Sequence, residues 1–588
     1  MNKKAIKIGI WVLATLGVVS YFYWIFPVWG MPFNSQRHGN PPLTPPWALE
    51  CWLWEDDVNT SDYVDELLTG YKENDIPVRT IILDSPWSLR YNDFEIDTSL
   101  YKKPDQWFKK LQDNDYRVVL WMTSMVNSYS KDANIKDSKD WYQRAMDNGF
   151  LVKSRNPNKW WKGEGGFIDY TSDNAMDWWR GLQQNVFDLG IDGWKLDGTA
   201  TLFWNQLGPI PIFYKRTSKG IMTTRTYMDH YYRDEYAHGL TQNPEFVTLS
   251  RSIDRGFHPE GFSPIDASPV NWVGDQEHKW VTDEMILQEG DEKVDIALEG
   301  FESAIESVLK SADLGYNIVG SDVAGFSGKT IPPRLYIRWT QFSTFCGLFM
   351  NGGHGERRLW KRTEEELEVI RKFSWLHTEL VPYMYHYVVT AHKGGRRLQA
   401  PLKKGKYHYM FGDDFLVAPI YMDSKKRTIT LPKGKWRYFF DDNEPIDGEV
   451  DIEREFPMDE FPVYIKEGAI VPMDIKRSYT GLGNGDSEGF TTILVYPQSE
   501  NSFDYFHTDT EGKTTISYEE KAGTLKLSLE GTKFPHILRI HSNSKPQSVT
   551  LDGKQLEKEV FWNYDHQDHK ILIKNGSVYG KGAYRIKF

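Results

Sequence analysis

Cysteine is nearly absent, with Cys51 and Cys346 the two in 588 residues. That excludes a disulfide framework or a cysteine-based zinc site as what holds the fold together. Positive charge is also in deficit, at 70 Lys+Arg against 82 Asp+Glu for a formal net charge of −12. With no long basic run either, neither nucleic acid nor an anionic membrane surface fits as the main partner, and neutral ligands fit better. No internal repeat or low-complexity tract is present. What is abundant is aromatic: 23 Trp, 32 Tyr and 31 Phe make up 15% of the chain. Flat rings suit the apolar C–H faces of sugars, although the same rings also serve as ordinary core. At this length one core is not enough, and two to four domains are expected.

One apolar run is long. Lys3, Lys4 and Lys7 precede an uncharged, mostly apolar stretch from Ile8 to Phe26, followed by Pro27. It is long enough to cross a bilayer as a helix, and the lysines favour leaving its N-terminal side in the cytoplasm. A cleaved signal peptide is the alternative, but Tyr21, Phe22, Tyr23 and Trp24 give no A-x-A cleavage site, which favours an uncleaved anchor. The catalytic part is then expected outside the cytoplasm, touching the membrane through this segment alone. Residues 1–30 are read as anchor or signal and residues 31–46, rich in Pro and Gly, as an extended linker.

From Trp47 to about residue 394, short apolar runs alternate with amphipathic helical stretches, the pattern of βα units and a parallel sheet. The eight runs are Ala48–Trp54, Thr80–Asp84, Val118–Trp121, Gly193–Asp197, Phe246–Arg251, Val270–Asp275, Tyr316–Asp322 and Phe345–Asn351. Val64, Leu67, Leu68 and Tyr71 fall at helical spacing with Ser61 as N-cap, and Trp179, Leu182 and Val186 share a face before a stop at Gly190. The reading is an α/β fold, a (β/α)8 barrel, with an open doubly wound sheet as the alternative. Residues 395–475 and 476–588 change to short alternating runs with Gly, Pro and Asp turns, read as two C-terminal β-sandwiches. Cys51 and Cys346 fall on the first and eighth runs, neighbours in a closed barrel, and are expected close together.

Asp84, Asp197, Arg251, Asp275 and Asp322 each end an apolar run, which places them on the C-terminal rim where such barrels do chemistry. Cleaving a glycosidic bond needs one carboxyl to protonate the departing oxygen and another to meet the oxocarbenium-like carbon. Rim aspartates from different strands can supply that pair. They can equally serve as helix caps or structural ion pairs.

The motifs resolve this. Phe167-Ile168-Asp169-Tyr170-Thr171, Trp178-Trp179, Gly190-Ile191-Asp192-Gly193-Trp194-Lys195-Leu196-Asp197, Ser250-Arg251-Ser252, Trp272-Val273-Gly274-Asp275 with Trp280, Gly320-Ser321-Asp322-Val323-Ala324-Gly325-Phe326 and Gly412-Asp413-Asp414-Phe415-Leu416-Val417-Ala418-Pro419 occur in order. From Trp47 to about Pro472 the chain resembles glycoside hydrolase family 31. The resemblance implies a retaining, exo-acting α-glycosidase with Asp197 as nucleophile and Asp275 as general acid/base. It also implies a sugar held by Asp84 with Arg251, Trp161, Trp272 and His354 around it, and Trp121 and Phe326 completing the aromatic lining. Asp197 must be ionised and Asp275 must start protonated, so their environments should push their pKa values apart. Lys195, two residues before Asp197 on the strand, is placed to keep it charged or to bind a hydroxyl. Retention would set the carboxyl groups about 5–5.5 Å apart instead of the ~6.5–9.5 Å of inverting enzymes. The double displacement needs no metal and no cofactor, and a metal site of Asp84, Asp322 and His354 is set aside for that reason.

Three departures from the family pattern bear on the sugar. No β-sandwich precedes Trp47, so another element must close that side of the site. Ala200 stands where Glu is common three residues after the nucleophile. Lys195 replaces an aromatic residue common in α-glucosidase members, and the Lys-x-Asp form also resembles branches acting on α-xylosides and α-galactosides. A catalytically silent carbohydrate-binding scaffold and a transglycosylase on the same fold stay open as alternatives. The expected partner in each case is an oligosaccharide or glycoside.

Overall fold

The computed structural model describes residues 3–30, 39–199, 202–207, 210–253, 261–281, 299–328, 330–576 and 582–588. Eight short parallel strands form its centre: β1 (Cys51–Leu53), β2 (Thr80–Leu83), β3 (Arg117–Met122), β4 (Gly193–Leu196), β5 (Val247–Arg251), β6 (Val270–Trp272), β7 (Val319–Gly320) and β8 (Phe349–Asn351). They pair in chain order from β1 to β7, with β8 beside β1. Between β7 and β8 a parallel bridge from Asp322 to Met350 and the Val323 N–H to Met350 carbonyl bond (2.9 Å) bring the sheet nearly full circle. Every strand residue from β2 and β4 to β8 is buried, so the strands read as near-continuous apolar runs, as a sheet covered on both faces requires.

The strands are shorter than their apolar runs. Asp84, Asp197 and Asp275 lie just past the strands' paired residues, and Asp322 keeps a single bridge to Met350. Arg251 remains the last residue of β5. β7 is clipped to two residues where Gly320 meets the Leu348 backbone with no room for a side chain. Cys346 consequently lies in the turn before β8 and not on it. Cys51 does pair with Phe349 of β8, so the strand adjacency behind the expected closeness is present. Both thiols are buried and unbridged.

The helix Ser61–Glu73 buries Val64, Leu67, Leu68 and Tyr71 as its periodicity predicts. Its cap is Thr60, whose hydroxyl accepts from the Tyr63 N–H, and Ser61 is the first helical residue instead of the N-cap. The helix Asp173–Phe187 buries Trp179 and Val186 and is followed by Gly190 in left-handed conformation. Among the described residues, two insertions that carry strands leave the rim. After β3 comes a three-stranded sheet of Met125–Ser130, Asn158–Trp160 and Gly163–Phe167. After β4 come two hairpins, Asn205–Leu207 with Ile210–Ile212 and Tyr214–Thr217 with Gly220–Thr223.

From residue 399 onward the structure is β. A six-stranded sheet and a two-stranded ribbon share a core of Leu416, Ile429, Trp436, Phe456 and Tyr464. A five- and a six-stranded sheet beyond Ile470 bury Ile516, Leu527, Leu538 and Ile573 between them. Buried Arg338 ties the barrel to the first of these by donating to the Phe456 and Glu460 carbonyls (2.8 and 2.7 Å). At the other end, the helix Lys3–Ser20 continues as a wider π-helical stretch, Tyr21–Trp29, closed by Gly30. Residues Lys7–Trp29 are long and apolar enough to cross a membrane. Of the expected linker, residues 41, 42 and 44 are buried, and Thr44 donates to the Pro269 carbonyl. Its described end therefore lies on the barrel instead of spanning free space.

Gly352 sits against the Trp54 indole so closely that any Cβ would overlap the ring. Gly352→Ala is expected to cost about 1–3 kcal/mol by overpacking and to lower the thermal midpoint. Gly181→Ala, in a helix with nothing within 4 Å of the added methyl, should leave the midpoint unchanged or slightly raised when both are followed by calorimetry.

Candidate active site

Asp197 follows β4 and is held from three sides. Trp121 Nε1 donates to Oδ2 (3.1 Å), and Arg251 Nε and Nη2 donate to Oδ1 (3.3 and 3.2 Å). The Gly198 N–H, just past the strand, donates to Oδ1 at 2.6 Å. Burial pushes this carboxyl group's pKa up, but Arg251, Lys195, the Trp121 N–H and the Gly198 N–H together outweigh it. The net shift is downward from the ordinary 3.8. Asp197 is therefore a carboxylate at neutral pH.

Asp275, three residues past β6, meets the other side of the same guanidinium, with Arg251 Nη2 at 3.1 and 2.9 Å from its two oxygens. One nitrogen thus bridges both carboxylates, so their nearest oxygens lie no more than about 6 Å apart. Their settings differ. The Asp197 side chain is 14% exposed and that of Asp275 43%.

Lys195 and Asp84 form the second unit. The Lys195 ammonium donates to Asp84 Oδ2 at 2.6 Å with both side chains buried, while Asp84 Oδ1 accepts from the Ser85 N–H (2.7 Å). Lys195 does not bond Asp197; its charge reaches that carboxylate through space. Beneath it the ammonium lies 3.8 Å from the centre of the Trp54 ring and 5.4 Å from that of Trp272, and Arg251 also stacks over Trp272 at 4.7 Å. A desolvated cation over an aromatic face gains about 2 kcal/mol. Trp272, fully buried, is a floor for both cations.

The remaining expected residues divide. Phe326 stacks on Trp54 (5.8 Å, 15°) and meets the His354 ring at a tilt (4.8 Å, 53°). His354 bridges Asp57 through Nδ1 (2.7 Å) and Asp56 through Nε2 (3.2 Å). Trp121 stacks with Trp160 (6.4 Å, 11°), which is held by Asn127, whereas Trp161 meets Trp160 edge-on and is partly exposed. Ala200 lies outside the described residues. Among those residues no group of three His, Cys, Asp or Glu side chains is spaced to hold a metal ion.

Sequence reasoning missed Trp54, Asp56, Asp57 and Trp160. The usable signal was the one that found the aspartates: Trp54 and Asp56 follow an apolar run and so lie on the rim. Asp322 accepts from Trp54 Nε1 (3.2 Å). Burial, with the Asp275 charge, raises its pKa to about 7 despite Lys195. Asp56 is likewise raised to about 7 by burial and by Asp84. The pocket holds more carboxylates than its cations offset, so it favours neutral hydroxyl donors and repels anions.

Removing Lys195 should have two readouts. Lys195→Met strands Asp84 as a buried unpaired charge, at a cost of about 3–5 kcal/mol, and the further change Asp84→Asn should recover part of the lost thermal midpoint. Since the Lys195 charge lowers the Asp197 pKa, its loss makes Asp197 protonate at higher pH. The acid limb of kcat/KM should move upward in the pH profile, and an unmoved limb would show that the two are not coupled.

Comparison with known proteins agrees with this arrangement. The profile of the Glycosyl hydrolases family 31 TIM-barrel domain matches residues 41–387, and that of the Glycosyl hydrolase family 31 C-terminal domain matches residues 389–471. The isomaltosyltransferase of Sporosarcina globispora is 24% identical over 92% of this chain and 52% of its own length. Alpha-glucosidase 2 of Bacillus thermoamyloliquefaciens is 23% identical over 91% and 68%. The cycloalternan-forming enzyme from Listeria monocytogenes, solved with a pentasaccharide substrate, superposes with a TM-score of 0.79 at 21% identity, over 93% of this chain and 55% of that one. The chain thus spans about half the length of the first of these relatives and of the superposed structure.

Proposed function

Because the chain belongs to glycoside hydrolase family 31, we propose that it is a membrane-anchored, retaining, exo-acting α-glycosidase with Asp197 as nucleophile and Asp275 as general acid/base. The observation that carries this reading is the single Arg251 nitrogen bridging both carboxylates. Nearest oxygens at most about 6 Å apart accommodate the about 5–5.5 Å separation of retaining enzymes, and membership of the family supports retention.

In the first step Asp197 attacks the anomeric carbon as the glycosidic C–O bond breaks, and a protonated Asp275 gives its proton to the leaving oxygen. In the second, Asp275 takes a proton from water, which attacks the same carbon and releases Asp197. The difference in exposure supports the assignment, since the nucleophile is enclosed among donors while the proton carrier is open to water. When Asp275 takes up its proton, Arg251 still holds Asp197 through Nε and Nη2. Asp84, Lys195, His354 and Trp161 would contact the sugar, with Trp121 and Phe326 as lining and Asp322 and Asp56 as further hydroxyl acceptors. Trp272 would act from beneath through Arg251 and Lys195. The substrate is an α-glucoside, galactoside or xyloside, and Lys195 lies among the residues that would contact its sugar.

A transfer reaction differs only in the acceptor that attacks the intermediate, and the relative named an isomaltosyltransferase supports keeping it as the second reading. The N-terminal lysines and the apolar helix support an anchor with the barrel outside the cytoplasm.

A panel of aryl α-glycosides tests the proposal. Asp197→Ala should abolish turnover on every member. Asp275→Ala should lose least on nitrophenyl substrates, whose leaving groups need no proton, and most on alkyl glycosides. Free sugar of retained configuration in proton NMR supports hydrolysis, and longer saccharides support transfer. An inverted product would overturn the double displacement, and no turnover on any member would favour a silent sugar-binding scaffold.

A further inference from the structure

The hairpins inserted after β4 are fastened to the foot of the N-terminal helix. Tyr23 Oη donates to the Pro211 carbonyl (3.0 Å) and Tyr214 Oη to the Phe22 carbonyl (2.7 Å). Trp24 packs edge-on against Trp204 (6.2 Å) and Phe213 (5.0 Å), and Tyr23 also meets Phe213 (5.3 Å). These contacts come from Tyr21–Trp24, the aromatic end of an apolar helix, where such rings mark the level of the membrane–water interface.

The hairpins are braced on their other side as well. The Lys215 ammonium lies 3.3 Å from the centre of the Phe167 ring and near Asn205 Oδ1, and the Lys153 N–H bonds the Arg216 carbonyl (2.9 Å). Helix foot, hairpins and barrel rim therefore form one bracket.

Two isoleucines project from this bracket without a partner. Ile210, next to the Pro211 that Tyr23 grips, is 50% exposed, and Ile221, beside the Thr217–Gly220 turn of the second hairpin, is 74% exposed. Single exposed apolar side chains are ordinary. These two differ because the protein contacts around them fix their height against the aromatic end of the helix.

We propose that the hairpins are a membrane foot, with Ile210 and Ile221 seated in the interfacial layer of the bilayer. The occupant of this apolar edge is lipid, argued from its continuity with the spanning helix. The foot begins eight residues after Asp197, so it sets the catalytic rim close to the bilayer surface instead of leaving the barrel swinging on a tether. The proposal rests on the anchor reading above.

The test uses the full chain in phosphatidylcholine vesicles. Both native cysteines are buried, so Ile210→Cys, Ile221→Cys and, as control, Asn543→Cys on the distal sandwich each offer one reactive thiol for a nitroxide label. Labels at 210 and 221 are expected to collide severalfold more with oxygen and severalfold less with a water-soluble nickel chelate than the label at 543. A chain that floats with the vesicles while the 210 and 221 labels remain as accessible to nickel as the 543 label overturns the foot alone. A chain that does not float overturns the anchor and the foot together.

Discussion

The buried Lys195 ammonium is the interaction on which the rim depends. It bonds Asp84 directly and acts through space on Asp197 and Asp322, three carboxylates from three different strands. Burial by itself would neutralise a lysine, but these anions more than offset it, so the ammonium stays charged. Because Asp84 holds Lys195 off Asp197, that carboxylate keeps its oxygens for Arg251, Trp121 and the Gly198 N–H. The lysine and the arginine share the Trp272 floor, so positioning of both carboxylate groups converges on one indole. Ion pairs of this kind add little net stability over an apolar substitute. Their value here is that they fix which carboxylates are charged.

The barrel makes this arrangement possible by bringing strand ends together irrespective of sequence distance. Asp84 and Lys195 are 111 residues apart in the chain and 2.6 Å apart in space. Each strand is short, and the polar residues at the ends of the apolar runs meet at the rim.

Much of this was legible. An acidic residue at the end of an apolar run is a one-dimensional signal of a rim position, and it located Asp84, Asp197, Asp275 and Asp322 before any pairing was known. Helical spacing gave the buried faces of Ser61–Glu73 and Asp173–Phe187. What was not legible depends on contacts across the chain. Nothing local distinguishes Trp160, stacked on Trp121, from its more exposed neighbour Trp161. Nothing in Trp54-Glu55-Asp56-Asp57 says that the indole will carry Lys195 or that the aspartates will clamp His354. Thr60 and Ser61 are equally good caps on paper, and only the backbone turn decides. The ends of β7 and β8 are set by backbone packing at Gly320, which an apolar pattern cannot register.

The same logic explains how loops beyond the barrel strands wall the site. The insertion after β3 supplies Trp160 to back Trp121, which donates to Asp197. The insertion after β4 begins a few residues beyond Asp197 and packs against the end of the N-terminal helix. Loops at the C-terminal ends of strands are free to lengthen because the barrel core does not depend on them. The segments that follow Trp121 and Asp197 both carry inserted strands, so these walls and the Asp197 carboxylate share backbone. A displacement of the second insertion would therefore be felt at Gly198, whose N–H is a direct donor to Asp197, before it reached any other part of the rim.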